Sequence, residues 1–590
     1  MRIAPTGVSY MNHDAASQEI TARLTAPGAP FEMETIVVKG TPCRVFKAYP
    51  RTLAGLYRVA HRHADRVLTI EGGRQTTFRE ALQKSGRLAQ GLAVQCGVTK
   101  GQRIAIVMQN STEWMLAFMA VTSLGAVAVL VNSRGAPIEL ERALQDTDCS
   151  LVIADEARIR RLDEAAGESR RLPRIVFTDD HRLIRGETDR SLASLLAGWE
   201  GMAALECAAV EPEEQALMMF TSGTTGSPKG AVLSQRSVMA GLSISAFGAA
   251  VSGAKFAARL GPDMARMLAA MQPASLLVAP LFHVSGCHNV FLSALANGGK
   301  IVILPRWQPD EVLRLIAQER IQQVACVPTM LWDLLRHPEF GRHDLSSLAV
   351  IGAGGAQFPG HLLREATRSL PGTVFAVGYG LTETNGSVAI ASGEDFLARP
   401  DAVGTISPLA DIRLVDDGGE EVVTGERGEI VARGAMLMEG YFGQATDSAV
   451  TFRNGWMHTG DIGVFDELQR LYIVDRKKHM IISGGENIYC EEVESALSDH
   501  ADVREVVAVG VPDPRLGEKL VVMIVPQPDR SPSADELRAH ATRRLADYKV
   551  PHAFLFRADI LPRTHTDKID RVGVAREIRN QLRNMCVVQE

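Results

Sequence analysis

The sequence predicts an α/β protein. A large N-terminal domain of mostly parallel sheets, covered by helices on both faces and carrying a small β unit, precedes a small α+β C-terminal domain. Three observations carry this reading. The chain has 590 residues, beyond the roughly 250–300 at which single cores stop growing, so at least two domains are expected. From about Arg103 onward, short apolar runs alternate with segments of helical periodicity, the pattern of βα units with parallel strands. After Gly404 the pattern changes to alternating strands with turn signals at Asp417-Gly418 and Thr424-Gly425, as in a small antiparallel unit.

Taken in order, residues 1–50, down to "RVFKAYP", form a weakly patterned extension. The runs "RIAIVMQ", "AVAVLVNS", "CSLVIAD", "PRIVFTD", "KIVILP", "QVACVP", "LAVIGAGG" and "TVFAVGYG" read as buried strands, with helical spacing over Pro309–Gln318 and Gly360–Leu370. The uncharged run Trp114–Val131 just reaches transmembrane length. Ser111 or Thr112 can cap a helix there, Gly125 stops it, and a β-rich run follows, so a buried helix and then a buried strand are expected. Val251–Gln272 reads as an insertion, by default an extra packed helix. The charged junction Asp475-Arg476-Lys477-Lys478 divides a large domain, 51–476, from a small one, 477–590. In the latter, Glu491–Ser498 and Ser533–Tyr548 are expected as helices, with "VREVVAVGVPD" and "KLVVMIVPQ" as strands.

Composition narrows the function. With 46 % hydrophobic and 22 % charged residues the chain is globular rather than disordered. A net charge of −6 without a Lys/Arg run disfavours nucleic acid, whose backbone needs a concentrated basic surface. Eight cysteines without a CxxC pair suggest neither zinc nor a disulfide framework, and a reducing cytoplasm fits. The N-terminus lacks the apolar segment of a secretory signal.

The stretch "TSGTTGSPKG", Thr221–Gly230, carries the chemistry. It is not a P-loop, because Lys229 is followed by glycine where that motif needs a hydroxyl for magnesium. It lies between two strand-like runs, "QALMMF" and "AVLS". Glycines placed so let backbone N–H groups close around an anion while Thr and Ser hydroxyls add donors.

These ten residues resemble the signature loop of the adenylate-forming enzymes, which include acyl-CoA synthetases, luciferases and peptide adenylation domains. "PLFHVSG" (280–286), "GYGLTET" (378–384), "WMHTGD" (456–461), "VDRKKHMIISGGENIYCEEVE" and "LPRTHTDKIDR" (561–571) resemble that family's other motifs in its order, from roughly Thr52 to Arg571. The resemblance implies activation of a carboxylate by attack on the α-phosphate of ATP, then capture of the acyl-AMP by a thiol. ATP, Mg²⁺ and coenzyme A are the implied cofactor set. It assigns the triphosphate to Thr221, Ser222, Gly223, Thr224, Thr225, Gly226 and Lys229, and the metal to Thr225 and Glu383. Tyr379 would stack on adenine, Thr382 would donate to the α-phosphate, Asp461 would accept the ribose hydroxyls, and Arg476 would add a ribose or phosphate contact. Catalytic roles fall to Lys568, Glu383 and His283, the last also lining the acyl channel with Gly352, Gly354 and Gly355. The small domain would be mobile, turning about a hinge at Lys478 to bring Gly484 and Gly485 against coenzyme A. One departure stands out: Asp567 precedes Lys568 where the family usually has glycine, and a carboxylate there can draw the ammonium aside.

Val278–Gly299 contains no Asp, Glu, Lys or Arg, which favours an apolar acid (medium- or long-chain fatty, alicyclic, aryl or sterol-derived) over an amino acid. The leading expectation is a cytoplasmic AMP-forming acyl-CoA ligase. An adenylation enzyme loading a separate carrier protein, or an impaired nucleotide-binding homologue, are the alternatives. No transmembrane segment is expected; peripheral membrane contact and a homodimer remain open.

Overall fold

The computed structural model describes residues 11–587 except 166–171, 179, 185–187, 198–204, 222–227, 261–270, 355–357, 359, 478–479, 484–485, 514 and 565–567. Two large sheets form the main body. The first is eight-stranded. Arg103–Val107 lies between Val127–Leu130 and Leu151–Asp155, and Arg174–Phe177 and Gln215–Thr221 extend the parallel run. The second has Ala274–Leu277, Lys300–Ile303, Gln323–Ala325, Val350–Gly354 and Val374–Leu381 in parallel. These strands are rich in Val, Ile and Ala and buried on both faces, as parallel sheets require.

The expected antiparallel unit after Gly404 is present but not separate. Ala402–Ile406 pairs with Gly386–Ser392 on one side and Leu471–Arg476 on the other, so the unit continues the second sheet into a 14-stranded sheet. This continuity carries residues of the 456–476 hairpin to the carboxyl end of Val374–Leu381, where α/β folds collect ligands.

The apolar run at 114–131 is a helix, Thr112–Ser123, followed by the strand Val127–Leu130. Ser111 Oγ accepts from Trp114 N–H at 3.1 Å, and Gly125 turns the chain at φ 70°. Every residue from Thr112 to Ser123 except Glu113 is buried.

Two stretches differ from expectation. Val251 starts no insertion: one helix runs from Gln235 to Leu260, since Gly253 costs a helix only about 1 kcal/mol and no proline interrupts it before Pro262. The rest of the expected insertion, 261–270, lies outside the described residues. Among the described residues this is the helix long and apolar enough to cross a membrane, and half of its apolar window is buried within the fold. The extension, for its part, is ordered from residue 11 as a helix, Met11–Thr25, and a hairpin, Met33–Val38 with Thr41–Phe46. Phe31, Phe46 and Phe247 cluster with ring centroids 5.0–5.4 Å apart, which ties the hairpin into the core beside the 235–260 helix.

The smaller unit is built on a five-stranded sheet, with Val503–Asp513 and Gly517–Pro526 antiparallel at its centre. The helix expected to reach Tyr548 stops at Thr542. Beyond it, Lys549 is drawn inward to Glu492 at 2.6 Å and the chain makes a 3₁₀ turn, Asp547–Lys549.

Candidate active site

Val374–Leu381 ends in a single 3₁₀ turn, Thr382–Thr384, and reverses into Gly386–Ser392 through Asn385 at φ 54°. Any side chain at Gly380 would collide with the carbonyl oxygen of Gly386, so the reversal can be this tight only with glycine there. The turn sets Tyr379, Thr382 and Glu383 side by side. Tyr441 Oη donates to Glu383 Oε1 at 2.7 Å, and the Glu383 carbonyl accepts from Met438 N–H at 2.8 Å. Glu383 Oε2 takes no hydrogen bond among the described residues.

Across from this turn, Asp461 and Arg476 oppose each other in the register of Trp456–Phe465 and Leu471–Arg476. Arg476 Nε pairs with Asp461 Oδ1 at 2.9 Å, and Tyr379 Oη donates to Asp461 Oδ2 at 3.0 Å. Asp461 is 2 % exposed, a depth a carboxylate tolerates only with such partners. Burial, then the charge of Asp461, pushes the Tyr379 hydroxyl well above its ordinary pKa, so it stays a donor.

Thr221 and Lys229 face each other at the end of the hairpin formed by Gln215–Thr221 and Lys229–Ser234. Ser222, Gly223, Thr224, Thr225 and Gly226 lie outside the described residues. Lys229 Nζ pairs with Asp447 at 2.6 Å and sits 5.3 Å over the Tyr441 ring. Tyr441 therefore touches both the Lys229 and the Glu383 side of the cleft.

His283 lies beside Lys568. Among the described residues its buried Nε2 has no hydrogen-bond partner. Burial first, then the cations Lys568 and Arg134, pulls its pKa down to about 3, so the imidazole is neutral. Lys568 rests on a short turn closed by Thr564 N–H to the Lys568 carbonyl at 2.7 Å. The turn is anchored where Leu561 N–H and Arg563 both bond Glu505. Lys568 projects into the cleft between the two units, where water reaches it although protein crowds it. Desolvation lowers its pKa, Arg476 lowers it further, and Asp461 and Glu383 act in the opposite sense. One lysine from the small unit thus stands within electrostatic reach of Glu383, Asp461, Arg476 and His283. That unit is seated by Arg336 to Gln527 at 2.6 Å and by Arg427 stacked 4.7 Å over Tyr489.

Gly352 and Gly354 lie on the strand beside Val374–Leu381. A Cβ at Gly352 would meet nothing within 4 Å, so this wall opens onto free space. Gly355, Lys478, Gly484, Gly485 and Asp567 lie outside the described residues; Ser483 and Glu486 pair.

Comparison with known proteins decides the family. The model described as AMP-binding enzyme matches residues 56–442, and that described as AMP-binding enzyme C-terminal domain matches 492–568. The chain belongs to the AMP-binding enzyme family. It is 34 % identical over 518 residues to a feruloyl-CoA synthase of an Amycolatopsis species, covering 86 % of this chain and 94 % of that one. It is 30 % identical over 535 residues to a long-chain-fatty-acid–CoA ligase of Bacillus subtilis, covering 87 % and 92 %. Among solved structures, the o-succinylbenzoate CoA synthetase of Bacillus subtilis with its acyl-adenylate intermediate superposes with a TM-score of 0.70 at 30 % identity, covering 88 % of this chain and 97 % of that one. The homologues are AMP-forming CoA ligases, that is acid–thiol ligases, and such enzymes use ATP, Mg²⁺ and coenzyme A. The chain belongs with the acyl-CoA ligases that work through acyl-AMP, and its mixed α/β architecture with a large and a small unit is that of adenylate-forming enzymes.

Reasoning from sequence missed Tyr441, Asp447 and Arg134. None stands in a motif; Tyr441 reaches the site because Gly440–Tyr441 pairs with Lys229–Ser234.

Proposed function

We propose that this acyl-CoA ligase activates an apolar carboxylic acid, fatty, alicyclic, aryl or sterol-derived, with residues 51–476 as the adenylation domain and 477–590 as a mobile small domain. The observation that carries the reading is the approach of Lys568 to Glu383, Asp461 and Arg476. A long cation from one unit meets two carboxylates and a guanidinium of the other, where a carboxylate and an α-phosphate must be brought together.

In the first step a carboxylate oxygen of the acid attacks the α-phosphorus, the bond to the bridging oxygen breaks, and pyrophosphate leaves. Lys568 neutralises the negative charge that both reactants bring, and preorganised charge of this kind supplies most of the acceleration in phosphoryl displacement. Asp461 accepts the ribose hydroxyls, oriented by Arg476 and Tyr379, while Thr382 donates to the α-phosphate. Thr221 and Lys229 hold the outer phosphates together with Ser222, Gly223, Thr224, Thr225 and Gly226. The free Oε2 of Glu383 is a hard oxygen suited to Mg²⁺, with Thr225 as a second ligand; the ion supplies charge neutralisation at the phosphates when bound. His283, neutral and with an uncommitted ring nitrogen, hydrogen-bonds the incoming acid without placing a competing charge beside Lys568. In the second step a thiol sulfur attacks the carbonyl carbon of the acyl-AMP, AMP leaves, and the thiol proton passes to solvent. Rotation about Lys478 brings Gly484 and Gly485 to the pantetheine arm.

The open space at Gly352 and the uncharged segment 278–299 support an apolar acid. The seven described cysteines are free thiols, which supports a cytoplasmic setting. The test is pyrophosphate release across acids of graded length and ring content, with and without coenzyme A. Release that needs an apolar acid, followed by CoA thioester without any protein acceptor, supports the proposal. Absence of ATP consumption with every acid defeats it, and adenylation without CoA transfer points instead to loading of a carrier protein.

A further inference from the structure

Where the two units join, four carboxylates gather around two guanidinium groups. Three of the carboxylates are engaged. Asp461 holds Arg476 and Tyr379. Asp475, 2 % exposed, accepts the N–H groups of Arg476 at 2.6 Å and Glu491 at 3.2 Å. Glu494 takes both terminal nitrogens of Arg571, whose remaining bond goes to the Ala508 carbonyl. The carboxylate of the fourth, Glu491, makes no hydrogen bond or ion pair among the described residues. It faces Glu494 and Asp475, then Arg571, with Asp461 beyond. The neighbouring Cys490 thiol faces the same groups and Glu518.

The bond from Asp475 to Glu491 N–H crosses the junction. The helix Cys490–Ser498 starts at Tyr489, whose side chain does not cap it. Asp475, on the last strand of the large unit, supplies the missing acceptor to the first turn, as an N-cap side chain would. Because Asp475 precedes residue 478 and Glu491 follows it, any rotation there must break this contact.

Resting on the ligase reading, we propose that Asp475 and Glu491 are positioning residues: Asp475 caps the small unit's first helix from the large unit, and Glu491 must take up a proton to sit beside it, so the orientation that presents Lys568 is proton-linked. Burial and the neighbouring carboxylates push Glu491 up to about 8 and burial pushes Asp475 up to about 6. Between these values Asp475 is ionised and Glu491 neutral. A unit rotated away returns Glu491 to water and toward its ordinary value of 4.5. The seated orientation therefore binds the extra proton. It is fully favoured below about pH 4.5, loses population by up to about tenfold per pH unit as the pH rises from there to about 8, and levels off above, where Glu491 is ionised in both orientations.

The test compares wild type with Glu491→Gln, which keeps shape and neutrality but cannot titrate. The ratio of ATP–pyrophosphate exchange to thiolation of supplied acyl-AMP should fall by up to about tenfold per unit between about pH 6 and 8 and level off above in wild type, and stay level over that range in Glu491→Gln. Asp475→Asn should lower exchange at every pH while sparing thiolation. Superimposable profiles for wild type and Glu491→Gln, or equal loss of both half-reactions in Asp475→Asn, overturn the proposal. A second arm needs no substrate: small-angle scattering of the full chain should shift as the pH rises from about 6 to 8 in wild type only, and identical curves for the two proteins overturn the link. Exchange absent with every acid would count against the ligase reading, while the scattering arm still decides this one.

Discussion

Replacing Lys568 with alanine removes the cation that the small unit brings to Glu383, Asp461 and Arg476 and leaves the rest of the cleft in place. The side chain is exposed and the turn that carries it is held by Glu505 and by backbone bonds, so folding should be unaffected. A unit charge acting at about 4 Å with an effective dielectric of about 20 contributes about 4 kcal/mol. Loss of one preorganised transition-state donor usually costs about 2.7–4 kcal/mol, or roughly 10²–10³ in rate. ATP–pyrophosphate exchange driven by an apolar acid should therefore fall by about 10²–10³. Thioester formation from supplied acyl-AMP and coenzyme A should stay near wild type, because that step no longer joins two anions. Equal loss in the two half-reactions, or exchange within a few-fold of wild type, would refute the assignment.

Tyr441→Phe removes the 2.7 Å bond that orients Glu383, and should raise the Mg²⁺ concentration needed for half-maximal exchange about tenfold, read by metal titration at saturating ATP. Asp461→Asn removes the charge that pairs with Arg476 and replaces one of the two acceptor oxygens that Arg476 and Tyr379 share with an amide donor; KM for ATP should rise by about 10–100-fold, as for loss of a charged hydrogen bond, with KM for the acid little changed. Gly352→Leu fills space that is open beside the strand, so activity should shift toward smaller acids at unchanged KM for ATP, measured across a length series. Phe46→Ala should destabilise the protein by about 3–5 kcal/mol, seen as a lower denaturant midpoint, because the ring is buried against Phe31 and Phe247.

The parts of the fold legible in the sequence are those whose cause is local. Val/Ile-rich runs bounded by turn residues became the parallel strands, and Ser111 and Gly125 marked the helix that an apolar run alone would have left open to a membrane reading. The extension was illegible because its structure is tertiary. Val45 and Phe46 carry little periodicity of their own, and they are ordered by the 235–260 helix from far along the chain. The overlong helix at 533–548 has the same origin, since the ion pair of Lys549 with Glu492 overrides a local helical preference.

At the site the split is similar, and Lys229 illustrates its consequence. The motif identifies the lysine but not what holds it before nucleotide arrives. That partner, Asp447, lies on a distant helix, Ala445–Thr451. The Asp447 side chain is 41 % exposed, and an ion pair so open to water contributes only about 0–1 kcal/mol. On the proposed function, a triphosphate brings several negative charges to the same ammonium and should displace Asp447 at small cost. Until then the pair keeps Lys229 extended over the Tyr441 ring rather than folded toward Glu383. The carboxylate that sequence reasoning could not find thus holds this lysine, and the tyrosine it also missed spans the gap between Lys229 and Glu383.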